Sequence, residues 1–205
     1  MKALINPSIA LFLVVATLSV YGKNTENTLF GVKIRVGGRY DNVRMCVATP
    51  PGVKGGMAAD ISAFAEIPVR EGTKLHIDLP VMRPILFAAA FRMLQFEPTV
   101  MVQFSDKSGR EGGFVAGPVL GVSLHYGPDY HSEPKGNGRT ADFFALGPIL
   151  GAYAGVNFIK PEKKYDFQLG ISPYVTPLFG IRDSENHKGI VVGGLLDGTF
   201  RFGGK

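Results

Sequence analysis

The fold of this chain is limited most strongly by residues 167–181, which read FQLGISPYVTPLFGI. Every second side chain from Phe167 onward is apolar, and the residues between them are small or polar, with Leu178 as the exception. Alternation with a period of two indicates a β-strand whose faces meet different environments. Strands of globular proteins commonly run about 5–6 residues, whereas a strand tilted across a bilayer needs about 9–11. The stretch therefore predicts a transmembrane β-strand.

The same alternation recurs along the chain, so that we predict eight strands. They are residues 29–40, 59–69, 74–83, 94–104, 114–126, 142–158, 165–181 and 189–202. Only helices and closed barrels satisfy all backbone groups in lipid, and bacterial barrels have an even strand number. We therefore predict an all-β fold, a closed antiparallel up-and-down transmembrane β-barrel. Residues 84–93 lack a clean period and remain open as a loop, a short helix or an additional strand, which would require ten strands in all.

The first 22 residues have the three parts of a secretory signal. Lys2 gives the positive start, residues 9–20 are apolar, and small residues precede a cleavage site after Gly22. Cleavage after Ser19 and an uncleaved membrane anchor are the alternatives. We expect residues 1–22 to be a signal peptide, residues 23–205 to form a single barrel domain, and the product to reside in the cell outer membrane.

Charge and cysteine content narrow the chemistry. The net charge is +5 with a pI near 9.3, but no Lys/Arg-rich run occurs, so we predict no nucleic-acid partner. Cys46 is the lone cysteine, which rules out an intramolecular disulfide and a cysteine-based metal site. It is a spare thiol or an intermolecular link. No phosphate-binding loop or metal-ligand spacing is present, and we predict no cofactor and no metal.

Ten charged residues fall on the predicted inner faces of the strands. They are Lys33, Arg35, Arg39, Asp60, Glu66, Asp78, Glu97, Asp166, Asp197 and Arg201. An eight-stranded barrel has an interior that side chains fill, and an unpaired charge there is costly. We therefore predict a lumen closed by salt bridges. A selective polar conduit and a catalytic carboxylate pair are the alternatives.

A hydrolase site is suggested by the sequence His131-Ser132-Glu133. Nucleophilic catalysis requires a rigidly oriented base, and these neighbours lie in a Gly/Pro-rich loop. We therefore predict no catalytic residues and a non-enzymatic protein.

Five prolines lie inside predicted strands, namely Pro98, Pro118, Pro148, Pro173 and Pro177. Because proline removes a ladder donor, we expect bulges or irregular rims near these residues.

The signal segment, the alternating strands, the polar loops and the final strand GLLDGTFRF together resemble the small bacterial outer-membrane β-barrels. These are the OmpA transmembrane domain and the OmpX-like and OmpW-like proteins, loosely called the porin family, and the likeness covers residues 29–202. It implies outer-membrane lipids and the barrel assembly machinery as partners, with Phe200 and Phe202 as the assembly signal, although Gly203-Gly204-Lys205 follow. Loops 41–56 and 127–139 would then face outward, where they are candidates to bind an extracellular ligand.

The function predicted from the sequence is that of an integral outer-membrane barrel with a structural or surface-interaction role. An OmpW-like conduit for small or hydrophobic solutes is one alternative, with the apolar residues 84–93 near the outer rim. A soluble periplasmic ligand-binding β-barrel and a barrel enzyme acting on lipid or peptide are the others.

Overall fold

Nine strands and one helix make up the part of the chain that the computed structural model describes, residues 28–41, 55–106, 113–128, 142–158, 165–182 and 189–202. The elements are β1 (Leu29–Asp41), β2 (Gly56–Arg70), β3 (Thr73–Pro80), α1 (Met82–Phe91), β4 (Leu94–Phe96), β5 (Thr99–Ser105), β6 (Phe114–Pro128), β7 (Asp142–Phe158), β8 (Tyr165–Arg182) and β9 (Gly189–Phe202).

Eight of these strands close into an antiparallel barrel. Strand β1 pairs with β2 on one side and β9 on the other, and pairing continues through β8, β7, β6, β5 and β3 back to β2. Among the described residues, the short strand β4 pairs only with β6, in the same register as β5, so it prolongs β5 along that neighbour. The closed eight-stranded barrel predicted from the alternation is confirmed. We name the end of the barrel that holds Leu29 and Phe202 the terminal end, and the opposite end the loop end.

Most of residues 84–93, for which the sequence leaves a loop, a helix or a strand open, lie in helix α1. Helix α1 starts at Met82, so the third strand ends at Pro80, three residues before the predicted end at Arg83. At its other end the N–H groups of Arg92 and Met93 donate to the carbonyls of Ala88 and Phe87, with Arg92 in the left-handed region at φ 53°. The prediction of one continuous strand over 94–104 is also wrong, because Glu97 and Pro98 separate β4 from β5.

The two faces of the strands differ as the alternation predicts. At outward positions between the strand ends, none of the side chains that the structure describes is charged, and large apolar groups such as Phe30 and Leu196 are about 60% exposed (62% and 61%). Aromatic rings gather outside at the terminal end, where Phe167 lies 5.9 Å from Phe158 and 4.9 Å from Phe200 between ring centroids. A second outward aromatic pair, Tyr126 and Phe144, lies at the loop end.

The strand prolines disturb the barrel less than expected. Pro118, Pro148, Pro173 and Pro177 each keep a partner in a ladder whose register does not shift, so no bulge occurs at these residues, although the register between β7 and β8 does shift near the loop end, between Phe144 and Ala145. Pairing between β7 and β8 does lapse opposite Pro148 and Pro177 and again at Pro173, then resumes in the same register. Only Pro98 coincides with a strand break. An outward-facing proline costs one donor, while the ladder on the strand's other side holds the register.

Candidate functional site in the barrel lumen

The predicted lumen charges lie inside the barrel. Seven of them are buried, namely Lys33, Arg39, Asp60, Glu66, Asp78, Asp197 and Arg201. The side chains of Arg35 and Glu97 are 11% and 15% exposed. Asp166 is half-buried opposite Arg201 in the ladder between β8 and β9. Strand parity alone brings these groups together, because residues two apart share a face.

A first group of charges, the lower cluster, consists of Glu66, Lys74, His76 and Arg201 near the terminal end. Arg201 Nε donates to both carboxylate oxygens of Glu66 at 2.8 and 2.9 Å. The same carboxylate meets His76 Nδ1 at 3.1 Å and accepts from Lys74 Nζ at 3.3 Å. The remaining Arg201 donors reach Asn157 and Gln168. The buried guanidinium and carboxylate thus have nearly all their hydrogen-bonding capacity filled, as burial of charge requires.

A second group, the central cluster, consists of Lys33, Arg35, Ser62 and Asp78. Lys33 Nζ donates to Asp78 Oδ2 at 2.5 Å, and Arg35 donates to Asp78 Oδ1 at 3.3 Å and to Ser62. His76 Nε2 lies 3.6 Å from Asp78 Oδ2, so the imidazole stands between the carboxylates of the lower and central clusters. Its ring stacks on Phe64 with centroids 4.6 Å apart. The two clusters therefore form one connected network across the lumen.

A third group, the upper cluster, consists of Asp60, Arg83, Glu97, Ser123 and His125 at the level where helix α1 begins. Arg83 Nη1 donates to Glu97 Oε2 at 2.5 Å, and Arg83 Nη2 lies 3.7 Å from Asp60 Oδ2. Glu97 Oε1 also accepts from Ser123 Oγ at 2.9 Å. Arg83 was predicted to end a strand. Instead, it enters the lumen from the first turn of a helix and joins β2 to the segment between β4 and β5.

Asp60 also accepts backbone hydrogen bonds at the position where the barrel wall changes from paired strands to helix α1. The last backbone bond between β2 and the β3 side runs from Val81 N–H to the Ile61 carbonyl at 2.9 Å. Beyond it, Asp60 Oδ1 accepts from Ile61 N–H at 2.8 Å and from Arg83 N–H at 3.0 Å. The helix has no side-chain cap of its own at Val81. Asp60 therefore supplies from another strand the acceptor and negative charge that a helix N-terminus favours.

The wall beside helix α1 is interrupted. Residues 56–61 of β2 pair with β1 on one side, but within the described chain they have no strand partner on the side facing β4. Strand β4 pairs with β6. Helix α1 contacts both β2 and β4 and stands between them. We name this interruption the seam. Outside, the helix presents Ile85 and Leu86, which are more than half exposed.

Part of the lumen at the loop end is apolar. Met93, Ala145, Leu178 and Val191 are buried together, with Phe87 of the helix and Tyr174 of β8 packed against them. We name this group the apolar chamber. Leu178, the exception in the alternation of β8, is 1% exposed and belongs to it. The exception to the alternation at Leu178 thus marks the place where β8 lines the apolar chamber.

A cavity of about 50 Å³ lies in the middle of the lumen. Its polar wall includes Lys33, Arg35, Asp78 and Arg83, and its apolar wall is formed by Met101, Val119, Ile149, Tyr153, Tyr174 and Leu195. Small-molecule pockets typically measure about 300–1,000 Å³. The lumen as it stands is therefore filled by side chains.

The wall formed by β6–β9 fills its interior with aromatic rings set over glycines. The Tyr153 ring occupies the space that a Cβ at Gly170 would need, and Tyr174 does so at Gly193. Tyr153 Oη accepts from Gln168 Nε2 at 2.6 Å, which ties the ring to the lower cluster through Gln168 and Arg201. Gly170 and Gly193 thus leave room for the two tyrosines.

A serine, a histidine and a glutamate meet in the upper cluster, but not in the order of a catalytic relay. Ser123 Oγ lies 2.8 Å from His125 Nε2, and Glu97 Oε1 lies 3.4 Å from that same nitrogen. A relay needs the serine and the acid on opposite ring nitrogens. Ser123 and His125 are 0% and 1% exposed. The hydrolase candidate His131-Ser132-Glu133 lies outside the described residues.

Several residues of these clusters are not predicted from the sequence. Ser123 and His125 share the inner face of β6, a parity signal that could have found them. No periodic signal marks Arg83 or Phe87, because a helix had not been assigned there. Phe200 and Phe202, the predicted assembly signal, are 37% and 55% exposed on the outer face. Most of loops 41–56 and 127–139, together with Cys46 and residues 1–22, lies outside the described part of the chain.

Comparisons of the chain with protein-family models, with curated proteins and with solved structures find no match. Within the described ranges, no helix has the length and apolar character needed to cross a membrane. No group of three or more His, Cys, Asp or Glu side chains suited to a metal ion occurs in that same part of the chain.

Proposed function

We propose that this protein is an integral outer-membrane barrel with a structural or surface-interaction role and no catalytic activity. The observation that carries the proposal is the distribution of side chains. Apolar groups, with aromatic rings toward both ends, face outward from the barrel, while the charges lie inside. An apolar outer band flanked by aromatic girdles is typical of barrels in a bilayer. A soluble barrel would expose a polar outer face instead.

The filled lumen supports a barrel that does not act as an open pore. The lower and central clusters are linked through His76, and the cavity in the middle of the lumen measures about 50 Å³. A water-filled channel needs more strands or smaller interior side chains. The likeness to the small outer-membrane barrels, including assembly through Phe200 and Phe202, stays a prediction that agrees with this proposal.

Cell fractionation tests the location. We expect the full chain, expressed in a Gram-negative bacterium, to be recovered with the outer membrane and to migrate differently on SDS gels before and after boiling. Recovery in the soluble periplasmic fraction would refute the location. For the closed lumen, we expect planar bilayers containing the protein to lack steady conductance, and a stable open-channel current would contradict it.

A further inference from the structure

The imidazole of His76 has a carboxylate at each of its two nitrogens, but it forms a hydrogen bond with only one of them. Its Nδ1 lies 3.1 Å from Glu66 Oε1, within hydrogen-bond distance. Its Nε2 lies 3.6 Å from Asp78 Oδ2 and has no hydrogen-bond partner among the described residues. The side chain is 2% exposed, and a buried polar atom without a partner costs free energy. The ring is therefore bound at one nitrogen and unsatisfied at the other.

The protonation state of the ring decides whether the second contact can become a bond. A neutral imidazole has one N–H donor and one acceptor nitrogen, whereas an imidazolium has two donors. With the N–H of Nδ1 directed at Glu66, a neutral His76 turns the lone pair of Nε2 toward the carboxylate of Asp78, so that two acceptors face each other. A proton on Nε2 converts this contact into a charge-assisted hydrogen bond. Only the charged ring can donate to both carboxylates.

The orientation of the ring is fixed by its neighbours. It stacks on Phe64 of β2, with ring centroids 4.6 Å apart and an angle of 20° between the planes. A flip of the imidazole would replace Nδ1 by a carbon and give up the hydrogen bond with Glu66. Nε2 therefore stays directed at Asp78 in either protonation state.

Charged groups of both signs face His76 from three of the strands around it. Strand β5, which pairs His76 with Met101, has no charged residue. The charged groups are Lys33 and Arg35 on β1, Glu66 on β2, Lys74 and Asp78 on β3, and Asp197 and Arg201 on β9. The four cations bind the two carboxylates that contact the ring. These carboxylates favour a charged ring and the cations oppose one, so both protonation states are open to His76.

The central cavity gives room for proton exchange beside this contact. His76 and Asp78 both line the cavity, whose volume is about 50 Å³. A polar cavity holds a water molecule for every 10–15 Å³ or so of such volume. Water in this space can deliver a proton to Nε2 and accept it again.

We propose that His76 is a pH-dependent latch between the lower and central clusters. In mild acid, Nε2 takes up one proton from water, and the new N–H donates to Asp78 Oδ2. In neutral and alkaline media the proton returns to water, and the bond reverts to a bare contact while the bond with Glu66 remains. The latch goes beyond the proposed function and does not depend on where in the cell the barrel resides.

The latch acts next to the seam. Asp78 forms the last ladder pair of β3 with β5, opposite Thr99, and β3 ends two residues later at Pro80. Through a charged His76, this strand end is tied to Glu66 on β2. Segments with few such bonds open at a lower free-energy cost. Proton uptake should therefore reduce local opening of β3 where the wall changes to helix α1.

Nitrogen NMR of the barrel in detergent micelles, with labelled histidine rings, tests the titration. We expect His76 to carry a proton on Nδ1 alone near about pH 8 and on both nitrogens near about pH 5.5, the range in which histidine changes its charge. The Nε2 proton should exchange slowly with water because it is bound to Asp78. His76→Gln identifies the signals by their loss. A ring that keeps one protonation state throughout would overturn the proposal.

Hydrogen exchange measures the consequence for β3. After correction for the intrinsic pH dependence of exchange, residues 75–79 should be about tenfold better protected near pH 5.5 than near pH 8, the effect of one charge-assisted hydrogen bond. His76→Gln keeps a donor for Glu66 but takes up no proton, so this difference should disappear.

His125→Gln is the matched control, because His125 is as deeply buried but belongs to the upper cluster. It should retain the pH-dependent protection of residues 75–79. The same pH dependence in His76→Gln as in the wild type would overturn the latch. If His76→Gln does not assemble, the nitrogen titration of the wild type, with its signals assigned by comparison with His125→Gln, decides the question.

Discussion

The two ends of the lumen are built differently although they are enclosed by the same strands. At the terminal end, every strand has two paired neighbours, and the interior holds the charges of the lower cluster. At the loop end the wall is interrupted by the seam, and the apolar chamber, with Phe87 inserted from a helix, lies beside the charges of the upper cluster. A continuous ladder fixes side-chain positions closely enough to pair buried charges. At the interrupted wall the apolar chamber is filled by groups that need no such geometry, while Arg83 and Asp60 supply an ion pair across the seam.

This difference predicts that the ends respond unequally to substitution. Buried ion pairs depend on their partners, since the removal of one member leaves an uncompensated charge. Apolar contacts lose only the buried area and the packing that they contribute. The lower cluster should therefore govern global stability, and the apolar chamber should govern local opening at the seam.

The largest expected effect comes from Glu66→Gln. The substitution leaves Arg201 buried without its carboxylate, and we expect a loss of about 3–5 kcal/mol in the free energy of unfolding. Urea unfolding of the barrel in lipid vesicles measures it. Glu71→Gln, in the exposed turn between β2 and β3, should stay within about 0.5 kcal/mol of the wild type. Equal effects of the two substitutions would break the comparison.

A second prediction concerns the apolar outer face that encloses both ends of the lumen. Val175 pairs with Leu150 and Val192, which are nearly half exposed on the outside. A cation facing lipid near the midplane costs about 2–4 kcal/mol, so Val175→Arg should reduce assembly into the outer membrane. Val175→Leu, the apolar control, should assemble normally. Normal assembly of the arginine variant would mean that this face does not contact lipid.

A smaller and more local effect is expected from Asp60→Ala. It leaves the N–H groups of Ile61 and Arg83 without their acceptor, at a cost of about 1–3 kcal/mol. Because the loss falls at the seam, hydrogen exchange should accelerate in residues 59–61 and 82–86 and stay unchanged in β8 and β9. Asp60→Asn keeps an acceptor oxygen and should cause less acceleration. Uniform acceleration across the barrel would show that the seam is not a separate unit.

Much of the fold could be predicted from period-two alternation. On β8 and β9 most apolar residues point outward and the charged ones inward, as pleat geometry requires of a long strand, with Leu178, Val191 and Leu195 as inward apolar exceptions. The charges on inner faces follow from the same parity. The sequence predicts bulges at the prolines, but Pro173 and Pro177 lie in a ladder whose register does not shift. A residue without an N–H donor can remain in a ladder because the hydrogen bonds of its neighbours hold the register.

The helix and the seam were not predictable from the same signal. Residues 82–91, MRPILFAAAF, are apolar apart from Arg83, so that neither period stands out, and Pro84 fits the first turn of a helix as well as a loop. The acceptor that stabilises the start of this helix is Asp60, 23 residues away in sequence. Phe87 reaches the apolar chamber from this same helix, and the local sequence carries no sign of the long-range contact.

The central claim is that the barrel places its apolar face in lipid and its charges inside, and it is tested most directly by tryptophan fluorescence. The chain has no tryptophan, so single substitutions report from one position each. Ile171 is 52% exposed on the outside of β8, and Tyr174, three residues along, faces the lumen. In vesicles of brominated lipids, we expect strong quenching for Ile171→Trp and little for Tyr174→Trp. Equal quenching at both positions, or none at Ile171→Trp, would contradict the account.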